Sequence, residues 1–369
     1  MEIQTIYLHI GLRKTGTTAL QQFLFFNRHA LKTHGILYPK TGASNHGGGH
    51  HPLANAFNHI TKGQYGAKFS VEEYLEQLKN ESKGYKTIII SSEIFSVFQG
   101  KIEQLTFSMK KLANNIKIII YLRRHDSFLQ SLYSSYVKAR KYPKSIDDFI
   151  SEEKTVDFHE LCSQYSSYFG KENLIVKAYE KEQLIENDII SDFFNILNID
   201  LNDHYIKLPY PGNISLNLDA LEFKRCINSI CKDFQYCIDI IKPLQKYSLK
   251  YKKEPFNNHQ LIHPNMANFL VSLHSEGYQK ILTEYTNNRS RKLFYEPINN
   301  IDEWHPYKGL TTKKITQIFK YIEKNSPELV PYLKESIRKG ISSENKILAE
   351  DAKQLQTIID NKKELLLPT

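Results

Sequence analysis

The residues with the clearest chemical potential lie near the start of the chain, in Gly11-Leu12-Arg13-Lys14-Thr15-Gly16-Thr17-Thr18. Lys14 and Arg13 bring fixed positive charge, Thr15, Thr17 and Thr18 bring hydroxyl donors, and Gly16 lets the backbone come close to a ligand. That set suits a phosphate or another tetrahedral anion. Three further groups point to chemistry. His51 closes a run holding three histidines, His46, His50 and His51, in six residues. Glu93 ends an apolar stretch, and Arg123 and Ser131 stand eight residues apart. An imidazole titrating near neutrality can take a proton from an attacking hydroxyl, as can a carboxylate placed beside it.

The elements that would position these groups are legible. Ile6 to Ile10 is a short β-prone apolar run ending at Gly11, the pattern of a buried strand. Beyond Gly16, Leu20, Phe23 and Leu24 recur at helical spacing, which predicts a helix from about Thr17 to His34 with the threonines as its caps. A strand, a tight loop and a helix N-terminus aim unpaired N–H groups and the helix dipole at one spot. Residues 41–52, glycine-rich and bracketed by prolines, read as a mobile loop near that spot. Lys86 to Ile90 predicts a central parallel strand ending in Ser91-Ser92-Glu93, and ligands sit at the carboxyl ends of such strands. Ile116 to Leu122 predicts another, running into Arg123 and a helix that Asp126 can cap. From that helix Ser131 can share one phosphate with Arg123, and Arg124 is out of register, an outer charge.

The first loop is not a Walker A sequence, because Lys14 precedes Gly16 by two residues instead of following it. Gly-x-x-Lys-x-Gly-Thr-Thr-x-Leu-Gln, complete here from Gly11 to Gln21, resembles the 5′-phosphosulfate loop of the sulfotransferases. The chain is similar to bacterial carbohydrate sulfotransferases, and the likeness is concentrated in residues 6 to 180. It implies 3′-phosphoadenosine 5′-phosphosulfate as donor, 3′-phosphoadenosine 5′-phosphate as product, and no metal. It also implies that Lys14 acts on the leaving nucleotide, that Arg13, Thr15, Gly16, Thr17 and Thr18 hold the 5′ side, and that Arg123 and Ser131 grip the 3′-phosphate. Two phosphate cradles on two parallel strands fit a nucleotide with separated 3′ and 5′ phosphates, which ATP lacks. His51-Pro52-Leu53-Ala54 matches a family His-x-Leu-Ala stretch. On that likeness His51 is the preferred base and Glu93 its substitute. A metal ligand or an incidental loop histidine are the other readings of His51, and a capping or salt-bridging acid that of Glu93.

Composition narrows the class. A chain of 369 residues with 41% hydrophobic and 24% charged residues is ordinary for a soluble protein. The net charge of +9 calls for an anionic partner: a nucleotide donor, an acidic glycan or, peripherally, a membrane surface. The four cysteines include no C-x-x-C pair and suit neither zinc nor a disulfide framework, which predicts buried thiols. No signal-like or membrane-spanning run is present, which favours a cytoplasmic bacterial enzyme.

Asn173 to Glu180 predicts the last central strand, and Asn213-Ile214-Ser215-Leu216 and residues 285–294 resemble later family segments. Alternating strands and helices predict an α/β fold: a P-loop-NTPase-like three-layer core with a parallel sheet flanked by helices. Residues 1–300 are expected to form the sulfotransferase domain and 301–369 a helical C-terminal extension. The acceptor expected is a glycan or glycolipid hydroxyl, with no nucleic acid involved. A kinase with an altered loop and a non-catalytic binder of anionic glycans are the alternatives.

Overall fold

A computed structural model describes residues 3–45, 47–97, 102–201, 205, 214–251, 261–286, 292–298, 301–302 and 304–360. The backbone groups into two compact units. The first comprises Met1–His125, Thr155–Pro211 and Leu270–Pro297, and the second Asp126–Lys154, Gly212–Phe269 and Ile298–Thr369.

The first unit is an α/β core with a five-stranded, all-parallel sheet. Its strands are β1 (Ile3–His9), β2 (Ile36–Leu37), β3 (Thr87–Ser91), β4 (Ala113–Leu122) and β5 (Leu174–Ala178), in the order β2-β3-β1-β4-β5. β3 and β4 carry the runs Ile88-Ile89-Ile90 and Ile118-Ile119-Ile120, and β1 buries Ile6 and Leu8, because both faces are covered. Ile89, Ile119 and Tyr121 pack on one face against Leu20, Phe23 and Leu24 of α1 (Thr17–Phe26), Leu31 of α2 (Arg28–Thr33), and Phe193 and Phe194 of the helix Ile189–Ile196. Alternation sends Ile88, Ile90, Ile118 and Ile120, all fully buried, to the opposite face. There the helices Ile102–Lys110 and Phe158–Phe169 meet β4. Each buried isoleucine contributes about 1.5–3 kcal/mol, so sheet order and register are strongly specified. This is the three-layer, P-loop-like arrangement, with β1 in the middle and the loop after it at the carboxyl edge.

The single helix expected from Thr17 to His34 is two. Asn27, at φ −95° and ψ 16°, separates α1 from α2, and its side-chain amide donates to Phe23 O at 2.9 Å. Asparagine competes for helix carbonyls in this way and so favours helix ends. The glycine-rich stretch is also more ordered than its composition predicts. Ser44 N donates to Gly49 O at 2.8 Å, Tyr38 Oη to Gly48 O at 2.8 Å, and His50 N to Ser91 O at 2.7 Å. Helix α3 (His51–Phe57) follows directly and is buried throughout.

The second unit is helical among its described residues. Leu218–Ile230, Phe234–Asp239, Ile241–Lys250, Thr312–Asn325, Val330–Ile341 and Lys346–Gln354 are its main helices, with the 301–369 stretch contributing the last three. Arg225 ties two of them together, pairing with Asp351 at 2.7 Å and with Glu222 at 2.8 Å. Between Leu218 and Lys250 the chain forms three helices, with breaks at Cys231–Asp233 and at Ile240. Among the described residues no helix is long and apolar enough to cross a membrane.

Candidate active site

The loop between β1 and α1 is built by backbone conformations that side chains rarely adopt. Gly11 has φ 44°, Lys14 φ 68° and Gly16 φ 74°. A Cβ on Gly11 would lie 2.7 Å from the Thr17 methyl, and one on Gly16 would lie 3.0 Å from Tyr179 Oη and 3.2 Å from Ile189. Both glycines are therefore required by space as well as by conformation. Lys14 holds its left-handed conformation without that exemption, a strain of about 1 kcal/mol or more. Its carbonyl is secured by Arg123, whose Nη1 donates to Lys14 O at 3.0 Å. The side chain that ends β4 thus fixes the loop that follows β1.

Gly16, not a threonine, is the N-cap of α1, and no side chain accepts a bond at that end. Four N–H groups at a helix start have no intrahelical acceptor, and no side chain caps them here. Thr15 is fully buried and its hydroxyl donates to Leu12 O at 2.6 Å, so its side chain shapes the loop. Arg13, Lys14 and Thr18 are half-buried, and Thr17 is buried against Gly11. Arg124 is also buried, donating to the carbonyl of Glu296, which makes it an anchor of the chain. Tyr179 faces the Arg123 guanidinium at 5.9 Å. Burial raises the pKa of its phenol, and the nearby Arg123 charge only partly offsets this.

A second cluster lies at the carboxyl ends of β1 and β3, where Ser92 N bonds His9 O at 3.0 Å. Glu93 opens a short 3₁₀ turn after β3, and its side chain is 22% exposed. Gln21 of α1 donates its amide to Glu93 Oε2 at 3.0 Å and to Ser91 Oγ at 3.3 Å. His9 Nδ1 meets Ser91 Oγ at 2.8 Å. His51 Nδ1 meets Ser92 Oγ at 2.8 Å, while His51 Nε2 faces Glu93 Oε2 at 3.9 Å. Gly49 is packed beneath them: a Cβ there would lie 2.6 Å from Gln21 Oε1 and 2.7 Å from His51 Nε2.

Donor and acceptor bookkeeping fixes the roles of two histidines. His50 Nδ1 accepts from Ser91 N at 3.1 Å, so its Nε2 carries the proton and donates to Pro39 O at 3.1 Å. His50 is a buried pin between the loop and β3, and burial pushes its pKa down to about 3. Ser92 Oγ accepts from Ile94 N at 3.2 Å, and the acceptor within reach of its own buried hydroxyl proton is His51 Nδ1. Where the Ser92 hydroxyl donates to Nδ1, neutral His51 carries its proton on Nε2, on the side of Glu93. Burial lowers the His51 pKa, with the Glu93 charge opposing. His9 is fully buried, and burial pushes its pKa down to about 4.

The sequence-derived candidates Arg13, Lys14, Thr15, Gly16, Thr17, Thr18, His51, Glu93 and Arg123 all belong to the first unit. Ser131 belongs to the second, on the helix His125–Ala139. His46 and Asn213 lie outside the described residues. Gln21, Ser91, Ser92, His9 and Gly49 complete the cluster and had not been singled out. The signal available for them was two serines before Glu93 and a glutamine one turn into an apolar helix. Among the described residues no group of three histidine, cysteine or acidic side chains is arranged to hold a metal.

These features define a parallel α/β protein with a glycine-turned loop after β1 and an acid–imidazole cluster at the carboxyl ends of β1 and β3. No family model matches the chain. An uncharacterized protein of Archaeoglobus fulgidus is 31% identical over 115 residues, which is 31% of each chain. A protein of Christiangramia forsetii named putative cysteine ligase BshC is 24% identical over 216 residues, 56% of this chain and 37% of that one. The chain spans about a third of the length of these curated relatives. Among solved structures, a sulfotransferase from Alicyclobacillus acidocaldarius overlaps 65% of this chain and 95% of its own, at 15% identity and a TM-score of 0.37. Likeness at these levels leaves function to be argued from the residues themselves.

Proposed function

We propose that the protein is a sulfotransferase that moves a sulfuryl group from 3′-phosphoadenosine 5′-phosphosulfate to a hydroxyl of a glycan or glycolipid. The observation that carries this reading is the bond from Arg123 to the Lys14 carbonyl, which joins the two anion motifs of the sequence in one place. The loop supports such a donor, because the helix start beside Lys14 has no side-chain cap. In this reading Arg13, Gly16, Thr17 and Thr18 hold the 5′ phosphosulfate, with Thr15 as the internal brace. Arg123 and Ser131 are assigned to the 3′-phosphate on their spacing.

In the transfer, the bond from sulfur to the nucleotide's phosphate oxygen breaks as the acceptor oxygen bonds to sulfur. Lys14 neutralises the charge gathering on the leaving oxygen, where positioned charge matters most. The acceptor proton goes to Glu93. The protonated Nε2 of His51 makes it a donor that steadies Glu93 or the acceptor, which reverses the order of preference the sequence suggests. Gln21 holds the carboxylate from the other side. The net charge of +9 suits an acidic acceptor, and a cytoplasmic site of action with a peripheral membrane contact suits a lipid-linked one. A nucleic acid is not the acceptor in this scheme.

The test is calorimetric titration with 3′-phosphoadenosine 5′-phosphate, with Lys14→Ala and Arg123→Ala alongside and ATP–Mg²⁺ as control. Binding near −8 kcal/mol, about micromolar, that both substitutions weaken is expected. Absence of binding, or tighter binding of ATP–Mg²⁺, overturns the assignment in favour of a kinase.

A further inference from the structure

The parallel strands of the sheet also share an amino edge, and a pocket opens there, remote from the groups used above. It lies wholly within the first unit and has a volume of about 360 Å³. Ile3 and Ala113, the first residues of β1 and β4, are buried in its wall. Four exposed lysines stand around it. Lys79 and Lys83 come from the end of the helix Val71–Glu81, and Lys110 and Lys111 from the end of the helix Ile102–Lys110. β1 runs from Ile3 at this pocket to His9 at the acid–imidazole cluster. At about 3.3 Å per residue, the two places lie about 20 Å apart.

The charge gathered here is not neutralised within the protein. Among the described residues that line the pocket none is acidic, and none of the four lysines forms an ion pair. Glu81 lies between Lys79 and Lys83 in sequence but is committed elsewhere: its two oxygens accept from Lys40 N at 2.8 Å and Thr41 N at 2.9 Å. Lys110 Nζ donates to Tyr168 O at 3.4 Å, and Lys111 Nζ lies 4.2 Å from the centre of the exposed Phe107 ring. Both ammonium groups are therefore held by neutral partners. Each of the two helix C-termini carries about half a negative charge, so the four lysines exceed them by about three charges. Like charges set around one concavity repel, and a multiply charged anion relieves that repulsion.

We propose that this pocket binds a diphosphate group, at a site separate from the loop after β1. Ammonium groups take phosphate as point charges, without the fork geometry that a guanidinium imposes. One phosphate, at about −2, leaves part of the excess charge unmatched, and two linked phosphates match it. A soluble diphosphate and a lipid headgroup with two phosphates present the same chemistry. The inference stands independently of the reaction proposed above.

The experiment titrates the folded full-length protein with inorganic pyrophosphate by calorimetry, in a Lys14→Ala background so that the loop after β1 does not compete. In parallel, the protein is sedimented with phosphatidylcholine vesicles containing cardiolipin, a lipid with two phosphates. Lys83→Gln combined with Lys111→Gln tests the pocket; both positions lie outside the helices, so thermal unfolding should be unchanged. The charge-matched control is Lys313→Gln combined with Lys320→Gln, two exposed lysines of the helix Thr312–Asn325. Pyrophosphate should bind, the pocket variant should weaken it by about tenfold for each lysine, and the control should not. Vesicle binding that only the pocket variant loses makes the source a lipid headgroup. Pyrophosphate binding without vesicle binding makes it a soluble diphosphate. The proposal is overturned if neither probe binds, if the pocket variant binds as the parent does, or if the control loses as much as the pocket variant.

Discussion

Two histidines buried without an acid in contact should make stability fall steeply below neutral pH. His9 and His50 are both fully buried, and desolvation holds their imidazoles at about 4 and about 3 against an ordinary 6.5. The folded state therefore prefers the neutral ring. As pH falls below 6.5 the unfolded chain takes up protons that the folded chain refuses, and stability drops until the folded pKa is reached. The stabilisation is thus complete above 6.5 and lost on the way down, for His9 by about pH 4 and for His50 by about pH 3. Each ring contributes about 1.4 kcal/mol per pH unit in the steep range, so together they remove about 4 kcal/mol between pH 8 and pH 5. His51 is shifted in the same direction and adds to the slope. Urea unfolding followed by circular dichroism from pH 7 to 4.5 measures it, with His9→Asn as the comparison. Asparagine can keep a bond to Ser91 but has no proton to gain, so the variant's slope should be shallower by about 1.4 kcal/mol per pH unit. Carboxylates titrating in the same range are common to both proteins and drop out of the difference. Equal slopes, or an NMR titration of His9 near 6.5, would refute the reasoning.

Gly49→Ala tests the cluster without altering charge: its Cβ would press on Gln21 Oε1 at 2.6 Å and His51 Nε2 at 2.7 Å. Overpacking of this kind costs about 1–3 kcal/mol, read as a lower urea midpoint, while binding of 3′-phosphoadenosine 5′-phosphate should be kept. Gly16→Ala should do the reverse, weakening that binding by calorimetry. Its φ of 74° strains any side chain by about 1–2 kcal/mol, and Tyr179 stands 3.0 Å from the new Cβ. Asp351→Ala removes the partner that Arg225 bonds at 2.7 and 3.1 Å. Glu222 remains, so a loss of about 2–4 kcal/mol in the second unit is expected from its urea transition.

The parts of the fold that sequence made legible are those governed by local pattern. Ile88-Ile89-Ile90 and Ile118-Ile119-Ile120 could only be strands covered on both faces, and the change of period after Gly16 marked α1. The helix Val71–Glu81 starts on an equally local device, a capping box between Ser70 and Glu73. Features set by distant partners were not legible. Composition marks residues 41–52 as mobile, but His50 finds Ser91 and Tyr38 finds Gly48 only after β2 and β3 pair. The threonines after Gly16 have good capping chemistry, yet Gly16 takes the position because its left-handed conformation turns the chain into α1. The pairing of Arg225 with Asp351 joins helices 126 residues apart, beyond any periodicity.

The choice between His51 and Glu93 shows what decides a proton's place. Histidine is a ready base by its ordinary pKa, and in the sequence the likeness of His51-Pro52-Leu53-Ala54 to a family stretch is what favours His51. What the sequence could not contain is the hydroxyl of Ser92, buried, with one lone pair taken by Ile94 N and its proton in reach of His51 Nδ1. A proton donated from Ser92 to Nδ1 turns the face of His51 toward Glu93 from an acceptor into a donor. Ser92→Ala removes the constraint, and the buried ring is then free to carry its proton on Nδ1 and offer Nε2 as a base. In the sulfotransferase reading, Glu93→Gln should abolish transfer in the wild-type background. In the Ser92→Ala background the same change should leave a residual rate that falls as pH drops and His51 is protonated. A Glu93→Gln enzyme that transfers at the wild-type rate with Ser92 in place would show that the serine proton does not govern the site.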